Sequence, residues 1–299
     1  MKKGFLIFIA FMSVVFLYCF ATAGQPKTSM TVFVSILPQA YFLERIGGQR
    51  VDVEVLVGEG QSPATYEPSS QQMTKLSSAK VYFAIGVPFE KNVMSKIRQA
   101  HRKLVVVETQ KGVPYRYLDS HRHDRDEKTG GEHHGRIPDP HIWMDPKLVK
   151  VQARNIYDAL CRLDPANGKE YSGNLQAFLS DLDRIDQRIT SALAPFRGSN
   201  IYVFHPAFGY FADSYGLHQL PIEIEGKEPG ARQLAGIIEK AKKDGVHVIF
   251  VQPQFSTKSA ETIAKAIGGV VVPINPLSRD YLSNLEKIAS EIVKGLPGR

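Results

Sequence analysis

The sequence predicts an α/β fold: two Rossmann-like lobes with mostly parallel sheets, joined by one long linking helix. Three observations predict it. Short β-rich apolar runs alternate with helix-patterned stretches in both halves of the chain, the texture of parallel strands covered by helices. Between the halves, one apolar face recurs at steps of one, three and four. The chain, at 299 residues, is long enough to bury cores for two domains without covalent staples.

Taken in order, Lys2 and Lys3 precede a nearly unbroken apolar run over residues 5–20, followed by Ala21-Thr22-Ala23. A basic start, an apolar centre and a small-x-small site predict a secretory signal over residues 1–23, cleaved after Ala23. The run is short of the ~20 residues of a membrane span. Cys19 offers a lipoprotein anchor as the alternative, but the bulky Tyr18 before it disfavours that route. Loss of residues 1–23 leaves Cys161 as the single cysteine, which forbids an internal disulfide even in an oxidising compartment.

The first lobe is expected over residues 24–163. Its strands are read at Met30–Ile36, Val51–Val57, 81–85 and 104–107, with helices such as 39–46 and 69–78 between them. Asp164-Pro165 supplies a cap and a first-turn proline. After it, Tyr171, Leu175, Phe178, Leu179, Leu182, Ile185, Ile189 and Leu193 line one face of a helix that ends near Pro195. A helix of that reach is about 43 Å long. The linking segment, 164–194, is therefore a strut rather than a string. The second lobe follows over 195–299, with apolar runs at 201–204, 246–251 and 270–274 and helical patterns at 230–243 and 256–267. No internal sequence repeat of useful period is present. The formal charge of +7 is spread without a basic run or interleaved aromatics, so nucleic acid is not an expected partner.

Of the nine histidines, five fall in HRHDRDEKTGGEHHGRIPDPHIWMDP. His121, His123, His133 and His134 alternate with acidic residues and Gly130-Gly131 in a stretch, 119–136, that has neither helical nor strand periodicity. It reads as a surface loop, either a weak metal collector or a solvated insertion. His141 differs. Asp139-Pro140 stiffens the chain before it, and Asp145-Pro146 caps the next helix after the only tryptophan. Metal binding and a plain loop hydrogen bond fit it equally well. His205 in IYVFHPAFGY lies just past an apolar run, at the carboxyl end of a strand where open α/β sheets place ligands. Asp280, before the last helix, fits a simple N-cap. Glu223, Glu225 and Glu228 in PIEIEGKEPG read as a solvated loop, with a cleft wall or docking surface as the alternative.

In sequence order, TVFVSILPQAYFLERIGG, SPATYEPSSQQM, PDPHIWMDP, FHPAFGYFADSYGL and Asp280 resemble the solute-binding proteins of zinc and manganese ABC importers, the cluster A-I group. The resemblance runs from about Thr31 to the carboxyl terminus and is nearest to the zinc-uptake members. It implies two α/β lobes joined by one helix, with the metal between them, a periplasmic location, monomeric action and a membrane permease as partner. It also implies His141, His205 and Asp280 as ligands. The family's first histidine is missing, because the corresponding turn reads Pro63-Ala64-Thr65-Tyr66-Glu67-Pro68. Water is the first candidate for the vacated position, a histidine of the 121–134 group the second, and a carboxylate, Glu67 or Glu59, the third.

Two imidazoles and a carboxylate form a donor set that suits Zn²⁺ ahead of Mn²⁺ or Fe²⁺. The expected function is capture of such an ion and its delivery to an importer, without enzymatic turnover. Three ligands plus water is also the composition of a catalytic zinc centre, so a secreted zinc hydrolase is the rival, and a metal-binding surface adhesin a third reading. The chain lacks HExxH, GxSxG and Walker motifs, which weighs against the hydrolase.

Overall fold

The computed structural model describes residues 29–118, 137–223 and 226–296. The expected signal segment and most of the histidine-rich stretch, including His121, His123, His133 and His134, lie outside them.

In the first lobe, β1 (Met30–Ile36) leads into α1 (Leu37–Gly47), which carries Pro38 in its first turn. β2 (Val51–Val57), α2 (Ser70–Leu76), β3 (Val81–Ala84), α3 (Pro88–Ala100) and β4 (Val105–Glu108) follow. The four strands form one parallel sheet in the order β2-β1-β3-β4. The order reverses between β1 and β3, so the ends of those two strands flank a crevice. β1 is buried along most of its length, as a central strand covered on both faces must be.

Past residue 137, α4 (Pro146–Leu163) begins as its sequence dictates. Asp145 accepts the Lys147 amide at 2.8 Å and Pro146 occupies the first turn. The linking helix α5 (Gly168–Leu193) starts later than Asp164-Pro165 suggests. Residues 165–167 form a tight 3₁₀ turn first. Asp164 serves that turn instead, accepting from Asn167 Nδ2 at 2.7 Å and from the Tyr171 hydroxyl at 2.6 Å. Every apolar residue named on the helix face is buried except the half-buried Leu179. The helix packs on α4 and α1 of the first lobe and on α9 (Tyr281–Gly295) of the second.

The second lobe repeats the first. β5 (Asn200–Val203), α6 (Gly209–Tyr215), β6 (His218–Pro221), α7 (Ala231–Lys243), β7 (Val248–Val251), α8 (Lys258–Ile267) and β8 (Val270–Pro273) precede α9. Its sheet is parallel in the order β6-β5-β7-β8, the same order one lobe later. β6 carries no strand signal in the sequence, because His218-Gln219-Leu220-Pro221 is polar at its start and closes on a proline. As an edge strand it tolerates both. One apolar core runs from the first sheet through α5 to α6 and α9, and a smaller one underlies α7 and α8. No described helix is long and apolar enough to cross a membrane.

Candidate metal centre

His205 stands two residues beyond β5, at the point where the second sheet reverses its strand order. Gln252, just past β7, clamps its backbone from the neighbouring strand end. The Gln252 Oε1 accepts the His205 amide at 3.0 Å, and its Nε2 donates to the His205 carbonyl at 3.1 Å. Phe255 stacks on the imidazole, with centroids 4.7 Å apart and planes 25° from parallel. The ring is therefore held on its backbone and on its face.

Its Nδ1 lies 2.7 Å from Glu223 Oε1. The pairing follows from strand register. β5 and β6 align Val203 with Pro221, and two residues further along each strand come His205 and Glu223. The Glu223 amide donates to Phe204 O at 3.0 Å, which extends the ladder to that point. Glu223 is buried, which corrects its reading as part of a solvated loop. Glu228 accepts from Ser259 Oγ at 2.7 Å, and Glu225 lies outside the described residues.

His141 approaches from the other lobe on a rigid turn. Asp139 Oδ1 accepts both the His141 amide, at 3.0 Å, and its Nδ1–H, at 2.7 Å. The other carboxylate oxygen accepts from Arg116 Nη1 at 2.8 Å, and Arg116 Nε reaches Asp213 Oδ2 of α6 at 2.9 Å. Burial opposes charge on the fully buried Asp139, but His141 and Arg116 outweigh it and hold the carboxyl below its usual range. Tyr210 closes the arrangement, accepting the Arg116 amide and donating to Asp139 O. Burial pushes its phenol up to about 12. Gly209 leaves room for this bridge, since a Cβ there would fall 1.9 Å from Arg116 Nη1. In the sequence Asp139 signals only a stiff turn, although a carboxylate two residues before a histidine can cap that residue's amide.

The two imidazoles meet edge to face. His141 Nε2 and His205 Nε2 are 3.3 Å apart, with ring centroids at 5.1 Å. With a carboxylate accepting at each Nδ1, both Nε2 atoms present lone pairs to one another. In that tautomer the pair suits a shared cation. Two Zn–N bonds of ~2.05 Å meeting at a tetrahedral angle also place their nitrogens about 3.3 Å apart. Burial pushes the His205 imidazole below its ordinary pKa, with Glu223 pulling upward and His141 adding to the depression.

Asp280 does not join them. Among the described residues no group of three or more histidine, cysteine, aspartate or glutamate side chains gathers as a metal site. Asp280 is exposed at the start of α9 and makes no side-chain cap bond, so simple capping does not account for it either. Its neighbour Arg279 is paired with Glu44 of α1 at the surface. Ala64, Glu67 and Glu59 are likewise exposed. The turn at Ala64 is tied down by Phe89, whose amide donates to Pro63 O at 3.2 Å.

Residues 32–295 match the family model described as zinc-uptake complex component A, periplasmic. The chain is 28% identical over 292 residues to the zinc-binding protein AdcA of Streptococcus pyogenes serotype M3, covering 93% of this chain and 56% of that protein. It thus spans about half the length of that relative. It is 27% identical to the high-affinity zinc uptake system protein ZnuA of Yersinia pestis, over 90% of this chain and 92% of that one. A crystal structure of ZnuA superposes with a TM-score of 0.82 at 41% identity, covering 90% of this chain and 99% of its own.

Proposed function

The chain belongs to the family of periplasmic component A proteins of zinc-uptake complexes, and on that premise we propose that it captures Zn²⁺ between its lobes and delivers it to the permease of an ABC importer. The family is a substrate-binding component of transport, and the ion is cargo. His141 and His205 supply the first two donors and Asp280 the third. Water completes a tetrahedron where the family's other histidine is replaced by Ala64. Residues 1–23 act as an export signal released after Ala23, and the protein works as a monomer.

One observation carries this reading: two Nε2 atoms at the bite of a tetrahedral zinc, 3.3 Å, each backed by a buried carboxylate at Nδ1. Such carboxylates fix the tautomer, orient the ring and raise its basicity toward the ion. Asp280 is the closing ligand in this scheme. Its carboxylate is committed to no cap, so bringing it to a cation breaks no existing side-chain cap bond. The histidines hold the ion's place while the carboxylate closes on it. Zinc is preferred to manganese because imidazole donors outnumber the oxygens the protein supplies.

Isothermal titration of zinc into His205→Ala tests the assignment. The expected loss exceeds the 10–100-fold range of outer-shell substitutions. Retained tight binding in that variant would reject the site.

A further inference from the structure

The indole of Trp143 bridges the turn that carries His141 and the loop that carries Asp280. Its Nε1–H donates to Pro276 O at 2.8 Å, between β8 and Asp280. In return the Tyr281 hydroxyl, one residue past Asp280, donates to Trp143 O at 2.7 Å. Both side chains are almost wholly buried, at 1% and 2% exposure, so neither bond is exchanged easily for water. Tyr281 is set in turn against Phe42 of α1, edge to face, with centroids 4.9 Å apart.

The loop itself is braced around Asn275. Its side-chain oxygen accepts the Leu277 amide at 3.0 Å and Gln254 Nε2 at 3.2 Å, and its carbonyl accepts from Asn284 Nδ2 at 2.7 Å. Gln254 adjoins Phe255, the ring stacked on His205. The segment before Asp280 is therefore tied on one side to the His141 turn and on the other to the His205 wall. Trp143 also meets His141 directly, with ring centroids 5.2 Å apart.

We infer that Trp143 and Tyr281 are positioning residues that fix the backbone around Asp280 relative to His141, so that the loop is already ordered when its carboxylate closes on an ion. The inference rests on Asp280 being a ligand, as the proposed function has it. Physically, a donor on a flexible loop must be ordered when the ion arrives, and that ordering subtracts from affinity. A loop clamped by two buried hydrogen bonds has been ordered in advance. The indole and the phenol touch no ion; they act through Asp280.

A double-mutant cycle separates this role from a general packing contribution. Trp143→Phe and Tyr281→Phe each delete one hydrogen bond and keep an aromatic ring, and each is combined with Asp280→Asn. Zinc affinity is read by competition with a chromophoric chelator, and the coordination of Co²⁺ by its visible spectrum. Each single aromatic variant is expected to bind zinc about tenfold more weakly, in line with outer-shell substitutions, and to shift the Co²⁺ spectrum in the direction Asp280→Asn does. In the Asp280→Asn background the same substitutions should then cost less than about twofold. If Asp280→Asn weakens zinc but the aromatic losses simply add to it, or are absent, the clamp is overturned and the ligand set stands. If Asp280→Asn binds zinc as the parent does, the ligand assignment itself falls and takes the clamp with it. Two aromatic variants keep the test open should one fail to fold.

Discussion

At the scale of the residue, the centre is a pair of imidazoles whose outer nitrogens are occupied by buried carboxylates. Glu223 and Asp139 turn two ordinary histidines into two aimed lone pairs. Glu223→Gln should weaken zinc binding by about 10–100-fold while leaving both histidines in place; chelator competition reads this, and an unchanged affinity would show that the hydrogen bond is idle. Proton competition follows from the same geometry. Burial sets the folded His205 pKa below that of the unfolded chain. As pH falls from the ordinary histidine value of ~6.5 toward the folded one, the unfolded state takes up the proton first, so stability contributed at higher pH is lost in that window. Zinc adds to the trend, since only neutral imidazole coordinates. Titrations from about pH 7.5 down to about pH 5 should show affinity falling below the ordinary histidine range, and a flat profile would contradict imidazole ligation. Both histidines are legible in the sequence, one beside a strand end and one between two Asp-Pro pairs. Their partners are not. Glu223 is 18 residues from His205, and only the register of an edge strand without a sequence signal brings them together.

At the scale of the element, the centre depends on a few stiff pieces. Gly209 opens α6, where any side chain would strike the Arg116 bridge to Asp139. Gly209→Ala should cost about 1–3 kcal/mol, as overpacking does, and should weaken zinc by displacing Asp139 from His141; thermal unfolding with and without zinc measures both. The linking helix is the most legible element, because its apolar spacing persists from Tyr171 to Leu193. Its start is less so, since the proline that signals a helix here opens a 3₁₀ turn first. Leu182 lies at the middle of the buried face of α5. Leu182→Ala should cost about 2–5 kcal/mol in denaturant unfolding. A smaller loss would mean that the helix is not the joint between cores. β6 is hidden in the sequence for the same reason that it tolerates Pro221: an edge strand needs only one paired side.

At the scale of the molecule, two sheets of the same strand order belong to lobes whose helices pack on one shared helix, although no sequence repeat announces it. The apolar pattern constrains which faces are covered, not which residues cover them, so a repeated topology leaves little trace in residue identity. The continuous core through α5 opposes wide hinging of the lobes. In the proposed scheme closure around an ion is local, through Asp280 and its braced loop. The proposed centre draws no donor from His121, His123, His133 or His134, which lie outside the described residues. Their removal should spare the tight site and abolish only weaker binding.

X-ray absorption at the zinc edge, on protein lacking residues 121–134 and loaded with an equimolar amount of Zn²⁺, tests the central claim most directly. The expected result is tight retention of the ion, with scattering from two imidazoles at ~2.0 Å and the remaining shell made of oxygen. An ion lost with the deleted segment, or a shell without two imidazoles, would contradict capture between His141 and His205.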